Sequence, residues 1–427
     1  MLSLISEKND IPVHENNLFE SLKVRDFRLL WISSACNAFG GQMRAIAQGW
    51  LIYDITQSPL ALTWVTLSFI VPFAIFSLVG GVVADRISKK NIMIYAQLIN
   101  GAATCVLAYI IFLGKVDFWH FIYFGLFNGA VGSLSVPASF SMVPEIVRQQ
   151  NLVNATALQT STFNLASITG PILSGSLIAV LSAGDFDTKA SVGLVFFIIS
   201  SLFFVAALAA VFMNHQGRPV STTKTSSLED FREGIVFVRE KKLILGLMVM
   251  GLVPSAFGKS MHFLLPAFNE EVISGGPSDL GVLTAGMGIG ALLGSVILAK
   301  AGDFGNKGRM MFRLSYGWAV TILLFALTEN LFPAIAIGAL TAFFSSLFGT
   351  LNMSLTQLAT SQHIRGRVMS LVMVMGGITP LAFLPVGAIA EHSSIKAALI
   401  FTAIMLALSA KLMDRVFPAL KRIDRGH

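Results

Sequence analysis

Long apolar runs separated by short polar breaks fill this chain. A helix needs about 20 mostly apolar residues to cross the hydrocarbon of a bilayer. Twelve runs meet that length, at 27–53, 60–84, 92–113, 119–143, 153–180, 190–213, 243–267, 280–301, 310–327, 333–357, 368–390 and 395–413. Polarity does not alternate residue by residue within them, as the strands of a membrane barrel require, so each run predicts a spanning α-helix. One longer polar stretch, 214–242, follows the sixth run. The expected organisation is an all-α membrane protein with an N-terminal segment 1–26, a six-helix bundle 27–213, a linker 214–242, a second six-helix bundle 243–413 and a tail 414–427. In the linker, Ser227 and Asp230 make a capping box ahead of Leu228, Phe231, Ile235 and Val238, which share one apolar face. That pattern predicts an amphipathic helix on the membrane surface, tethering the halves.

Composition agrees. Of 427 residues, 54% are hydrophobic and 12% are charged, about half the charge of a soluble domain. The net charge of +7 is spread over short loops rather than gathered on a soluble face, which excludes a nucleic-acid partner. Its placement carries information of another kind. One set of loops holds only Lys115, Lys189 and Lys396, Arg44 and Lys259 lie inside spans, and every other Lys and Arg falls on the opposite set. The positive-inside rule therefore predicts that both termini are cytoplasmic. Residues 1–26 lack the pattern of a cleaved signal. Cys36 and Cys105 sit in apolar runs without metal-ligand spacing, and read as small buried hydrophobes. No metal or cofactor is expected.

The two halves repeat one another. Arg44 in the first span corresponds to Lys259 in the seventh, and Pro171 in the fifth to Pro385 in the eleventh. In the fourth span Asn128, Gly132, Ser135 and Ser139 share a helical face, and each recurs 217 residues later as Ser345, Gly349, Asn352 and Thr356. Small and weakly polar residues also mark plain helix packing. The shared register, with an amide in each half, favours a common interior cavity.

Arg44 and Lys259 need a reason, because a cation at mid-membrane costs about 2.5–3.5 kcal/mol on insertion scales. Asn37, Gly41, Arg44 and Gln48 share a face of the first span, and Ser255, Lys259 and His262 share one of the seventh. These faces predict cavity walls, with Asn37, Arg44, Gln48, Asn128, Ser135, Gln159, Lys259, His262 and Asn352 as substrate ligands. A structural pairing of Arg44 with Asp54 and a packing role for Gln159 or His262 stay open. Two cations without a mid-membrane carboxylate favour an anionic substrate. Asp54 and His262 are the candidate proton carriers. Gly258-Lys259-Ser260 imitates the end of a phosphate-binding loop, but Val253 stands where its first glycine belongs and the segment lies inside a span. No nucleotide is expected, so a gradient must drive transport, with protons the expected ion. No nucleophile–base pair or soluble catalytic domain argues for an enzyme, and no catalytic residue is assigned.

After the second span the chain reads Gly80-Gly81-Val82-Val83-Ala84-Asp85-Arg86-Ile87-Ser88-Lys89-Lys90. This resembles the loop signature of the major facilitator superfamily, with Ser88 in place of a glycine and Lys89 in place of an arginine. The resemblance implies a latch of Gly81, Asp85, Arg86, Lys89 and Lys90 that holds one side shut. Gly170-Pro171-Ile172-Leu173-Ser174-Gly175 is similar to the Gly-Pro motif of the superfamily's antiporters, which implies gating at Gly170 and Pro171. Trp50-Leu51-Ile52-Tyr53-Asp54, Asp230-Phe231-Arg232-Glu233-Gly234 and Arg365-Gly366-Arg367-Val368 resemble the enterobactin-exporter-like branch. That branch implies efflux of a small amphiphile, such as a siderophore or drug-like molecule, from a bacterial inner membrane. The alternatives are an importer or lipid flippase on the same scaffold and, in another class, a membrane-embedded enzyme or sensor.

Overall fold

The computed structural model describes residues 20–84, 87–184, 186–217, 236–301, 305–360, 364, 368–369, 371–372, 375–376 and 379–423. Among them no strand occurs. The first half contains α1 (Arg25–Thr56), α2 (Pro59–Ala84), α3 (Lys89–Phe112), α4 (Phe118–Ile146), α5 (Leu152–Ser182) and α6 (Thr188–Val211). The second contains α7 (Lys242–Gly258), α8 (Met261–Glu271), α9 (Pro277–Ala301), α10 (Lys307–Ala326), α11 (Leu331–Leu358), α12 (Phe383–His392) and α13 (Ile395–Val416).

Among the described residues nine segments are long and apolar enough to cross a membrane on their own, with α7 and α8 forming one of them. The other three predicted spans are helical too. α1 falls short in hydropathy because Asn37, Gln42, Arg44 and Gln48 interrupt it, and α10 because Lys307, Arg309 and Arg313 crowd its start. The eleventh is described only in part, as the 3-10 turn Thr379–Ala382 running into α12. Linker residues 218–235 lie outside the described set, so the capping box does too. Residues 236–240 are helical, and Val238 is buried beside Ile244 and Met248.

Helix starts follow the polar breaks. Asp117 caps α4, reciprocally with His120, and Asp187 caps α6 by accepting from the Ala190 N–H at 2.7 Å. Ser394 does the same for α13 from Ala397 at 3.0 Å. A side-chain oxygen at this position satisfies one of the amides the first turn leaves free. The α1–α2 turn needs only Gln57 and Ser58. Gln57 takes the left-handed conformation (φ 48°) and its N–H returns to the Tyr53 carbonyl, while Pro59 opens α2, where a missing N–H costs nothing.

Packing repeats across the halves. In the first, α2 lies on α4, α3 on α4 and α6, and α1 on α5 and α6; in the second, α9 lies on α11, α10 on α11 and α13, and α7 on α13. Lipid is as apolar as leucine, so helices associate by close packing rather than by hydrophobic exclusion. Glycines make that approach possible in both equivalent helix pairs, carried by α4 in the first half and by α9, the counterpart of α2, in the second. A methyl on Gly129 would sit 2.1 Å from the Phe69 carbonyl oxygen between α4 and α2, and one on Gly290 would sit 1.9 Å from that of Ala339 between α9 and α11. Two seams join the halves, α5 against α9 and α2 against α12. Advancing every span by six exchanges one seam for the other, which is the signature of a pseudo-twofold axis.

The seams close at one end. On the face that carries both ends of the described chain, polar contacts among the described residues stay within a half, as in Ser21 to Asn154 (2.7 Å) and Lys90 to the Met213 carbonyl (2.6 Å). On the far face they cross. Tyr53 donates to Glu271, Gln57 to Glu270 at 3.0 Å, and Ser58 to Glu391 at 2.7 Å. All hydrogen bonds between the halves among the described residues lie on this far side, where the Pro171 carbonyl also packs 2.6 Å from where a methyl on Gly281 would stand.

Candidate substrate chamber

Three connected cavities run through the bundle. A central chamber of about 510 Å³ lies between the halves, walled by α1, α2 and α4 on one side and by α8, Lys259, Ser345 and Phe383 on the other. A cavity of about 530 Å³ opens from it into the first half, sharing Gly41, Arg44, Phe69 and Asn128. A smaller one of about 180 Å³ enters the second half and meets the chamber at Lys259. Among the described residues no Asp or Glu lines any of the three. The site is electropositive.

The predicted faces point inward. Asn37, Gly41, Arg44 and Gln48 all line the first-half cavity or the chamber, and so do Asn128, Gly132, Ser135, Ser139 and Gln159. Ser255, Lys259 and His262 line the chamber or the second-half cavity, as do Ser345, Gly349 and Asn352. Thr356 turns away, buried against the Asn352 carbonyl. Asp54 lines none of the cavities.

Arg44 and Lys259 differ in their surroundings. The Arg44 guanidinium donates to Asn128 Oδ1 at 2.7 Å and stands 5.5 Å from the centre of the Phe124 ring and 5.8 Å from that of Phe69. A cation over an aromatic face is attracted by the ring quadrupole. No described carboxylate pairs with Arg44, so the Asp54 pairing does not occur. The Lys259 ammonium has no hydrogen-bond partner among the described residues and, like the His262 side chain, is open to the chamber. Lys259 sits in the break between α7 and α8. Pro254 and Pro266 remove backbone donors on either side of it, and Ser260 turns back to the Phe257 carbonyl. Broken helices at a bilayer's midplane are where transporter sites form.

Gly170 and Pro171 lie where α5 meets its neighbours: Gly170 packs on Gln42 of α1, and Pro171 presents its carbonyl to α9. Lys89 pairs with Glu145, which also accepts from His215 at 2.9 Å, and Lys90 holds the end of the first half. Gly81 belongs to α2, while Asp85 and Arg86 lie outside the described residues.

Sequence reasoning missed part of the first-half wall. Gln97 and Asn100 of α3 line it, with Met93. Their spacing of i, i+4 and i+7 is one helical face, a signal available in the sequence. Trp31, whose indole donates to Thr162 at 2.8 Å, was also missed, as was the far-face seal of Tyr53 and Glu271.

Twelve spans in two halves related by a pseudo-twofold axis, around a polar chamber closed on one face, define a transporter of the major facilitator superfamily. Solved transporters share this fold: a bacterial homologue of the human lysosomal transporter Spinster superposes with a TM-score of 0.72 at 13% identity, over 92% of this chain and 97% of that one. The nucleoside transporter NupG gives 0.72 at 12% identity, over 92% and 99%. The profile of the transmembrane secretion effector family matches residues 17–425, and the chain belongs to that family. Macrolide efflux protein A of Streptococcus pyogenes is 23% identical over 66% of this chain and 68% of that protein. Enterobactin exporter EntS of Shigella boydii is 24% identical over 68% and 67%. The protein is a membrane transporter of an efflux family, not an enzyme.

Proposed function

We propose that this protein exports a small anionic amphiphile across the bacterial inner membrane by alternating access, with Arg44 and Lys259 as the two poles of its site. The observation that carries this reading is the pair of cations, one from each half, on a single chamber with no described carboxylate in its walls. An anion held between them contacts both halves at once, so its binding energy bears on their relative position. The termini face the cytoplasm in this reading, which makes the open side inward and the Tyr53–Glu271 side outward. Export is supported by the efflux and exporter names of both relatives. Siderophores and macrolides are the first substrates to test. A proton gradient supplies the energy. His262, on the chamber wall, is the better-placed carrier, because Asp54 lies outside it. The latch of Gly81, Asp85, Arg86, Lys89 and Lys90 belongs to the inner side, and Gly170 with Pro171 to the outer seam. Residues 27–213 and 243–413 act as the two rocking bodies.

The test is transport by purified protein in vesicles with an imposed pH gradient, using enterobactin and erythromycin. Arg44→Ala and Lys259→Ala are each expected to slow transport of the anionic compound by about tenfold or more, the scale of a lost charge-assisted hydrogen bond. Wild-type rates in both variants contradict the proposal.

A further inference from the structure

The first-half cavity holds a cluster of unused hydrogen-bonding groups. Ser33, Gln97, Asn100, Asn128 and Gln159 line it, and among the described residues Ser33 Oγ, Gln97 Oε1, Asn100 Oδ1, Asn128 Nδ2 and Gln159 Nε2 have no partner. Ser33, Gln97, Asn100 and Asn128 are all at least nine-tenths buried. Four helices, α1, α3, α4 and α5, bring them together. Leaving a buried polar group unpaired costs about 1–3 kcal/mol, so five in one cavity is a large cost to carry without use. The same cavity is walled by Phe69, Phe73, Phe140 and Phe163, and its volume of about 530 Å³ lies within the range of small-molecule sites.

We infer that this cavity is a second subsite, which takes the uncharged, hydroxyl-bearing body of an aromatic amphiphile. The inference rests on the export reading, in which the chamber holds the anionic group, and it adds where the rest of the molecule lies. The unpartnered set contains both amide oxygens and amide nitrogens. An amide can turn to present its oxygen or its nitrogen, so a ligand that engages these side chains must donate and accept, as a hydroxyl does and an ether does not. The phenylalanine rings supply flat apolar walls for an aromatic ring. Arg44 marks the border, since it lines both spaces. The second half offers no equivalent, because Asn352 is engaged by the Leu247 carbonyl at 3.0 Å and its cavity is about 180 Å³.

The experiment measures binding of two dansyl probes to the full chain in lipid nanodiscs, with empty nanodiscs subtracted. N-dansylglucamine carries five hydroxyls and N-dansylhexylamine none; both are uncharged, so Arg44 and Lys259 are not required. The hydroxylated probe is expected to bind, and Gln97→Leu and Asn100→Leu to weaken it by roughly tenfold each, with the hexyl probe unaffected. Unfolding temperature separates a site from a structural network: replacing an unpartnered amide with leucine is expected to hold or raise it. Gly41→Leu fills the cavity mouth, where a methyl meets nothing within 4 Å, and is expected to block the hydroxylated probe. Unchanged binding in all three variants overturns the inference and means that water alone fills the cavity. A fall in unfolding temperature in step with binding overturns it as well. Neither result touches the anion-transport test, which is read separately.

Discussion

The two halves of this transporter share a fold but not a site. Arg44 and Lys259 occupy equivalent places, yet Arg44 has a partner in Asn128, while the register-matched residue across from Lys259 is Ser345. No hydrogen bond joins Ser345 to the ammonium, and among the described residues the Lys259 side chain stands free. The cavities diverge in the same direction, with about 530 Å³ and unpaired amides in the first half against about 180 Å³ and a consumed amide in the second. Duplication thus fixed the frame of helices, and side chains then divided the labour. The first half is preorganised and roomy; the second supplies an unpartnered charge. In the proposed export cycle, a fixed guanidinium and a free ammonium would suit one anion better than two fixed cations, because a flexible stem can follow the ligand as the halves rock.

The largest effects are expected where the halves are alike. Gly129→Leu and Gly290→Leu each push a side chain into a helix backbone, and each is expected to abolish the folded protein, read as loss of a monodisperse peak in detergent. A folded Gly290→Leu protein breaks the claim that both halves depend on the same close approach. Next comes a change that makes the halves more equal. Ser345→Asn gives Lys259 the acceptor that Arg44 already has, and is expected to weaken anion binding by about five- to tenfold, the scale of one competing hydrogen bond. Tighter binding instead means that a free Lys259 is no advantage.

Filling the second-half cavity tests its lesser role. Gly349→Leu enters open space, since a methyl there meets nothing within 4 Å. It is expected to change export by less than about threefold, well below Gly41→Leu in the first half. The smallest effect concerns the far surface. Lys396 holds the exposed Glu329 carboxyl below its ordinary range through a 2.6 Å bond. A lowered value means that this contribution is present above the usual carboxylate range and is lost as pH falls through it. Because the pair is screened by water, Glu329→Gln is expected to leave the unfolding temperature unmoved.

Much of this was legible before any coordinates. The run lengths foretold twelve helices, and the 3.6-residue period placed Asn37, Gly41, Arg44 and Gln48 on one wall. The Arg44–Lys259 match announced the repeat. Other features were hidden for physical reasons. The rotation of a span about its own axis is set by its neighbours, so the shared face of Gln97 and Asn100 is readable in the sequence but its aim at the cavity is not. The break at Lys259 depends on Pro254 and Pro266 acting together with packing of Gly258 on Trp318, which no local pattern reports. The seal of Tyr53 on Glu271 joins residues far apart in sequence, and its partners were visible only as ordinary loop-end polarity.

The most direct test asks whether the chamber changes sides. In protein with Cys36 and Cys105 replaced by serine, Ser345→Cys, on the chamber wall, is treated in vesicles with a membrane-impermeant thiol reagent applied to one side or the other. Alternating access predicts modification from the cytoplasmic side at rest and from the outer side once substrate and a pH gradient are supplied. A crosslink between Tyr53→Cys and Glu271→Cys should abolish only the outer reaction. Reaction from one side under every condition, or from neither, contradicts it.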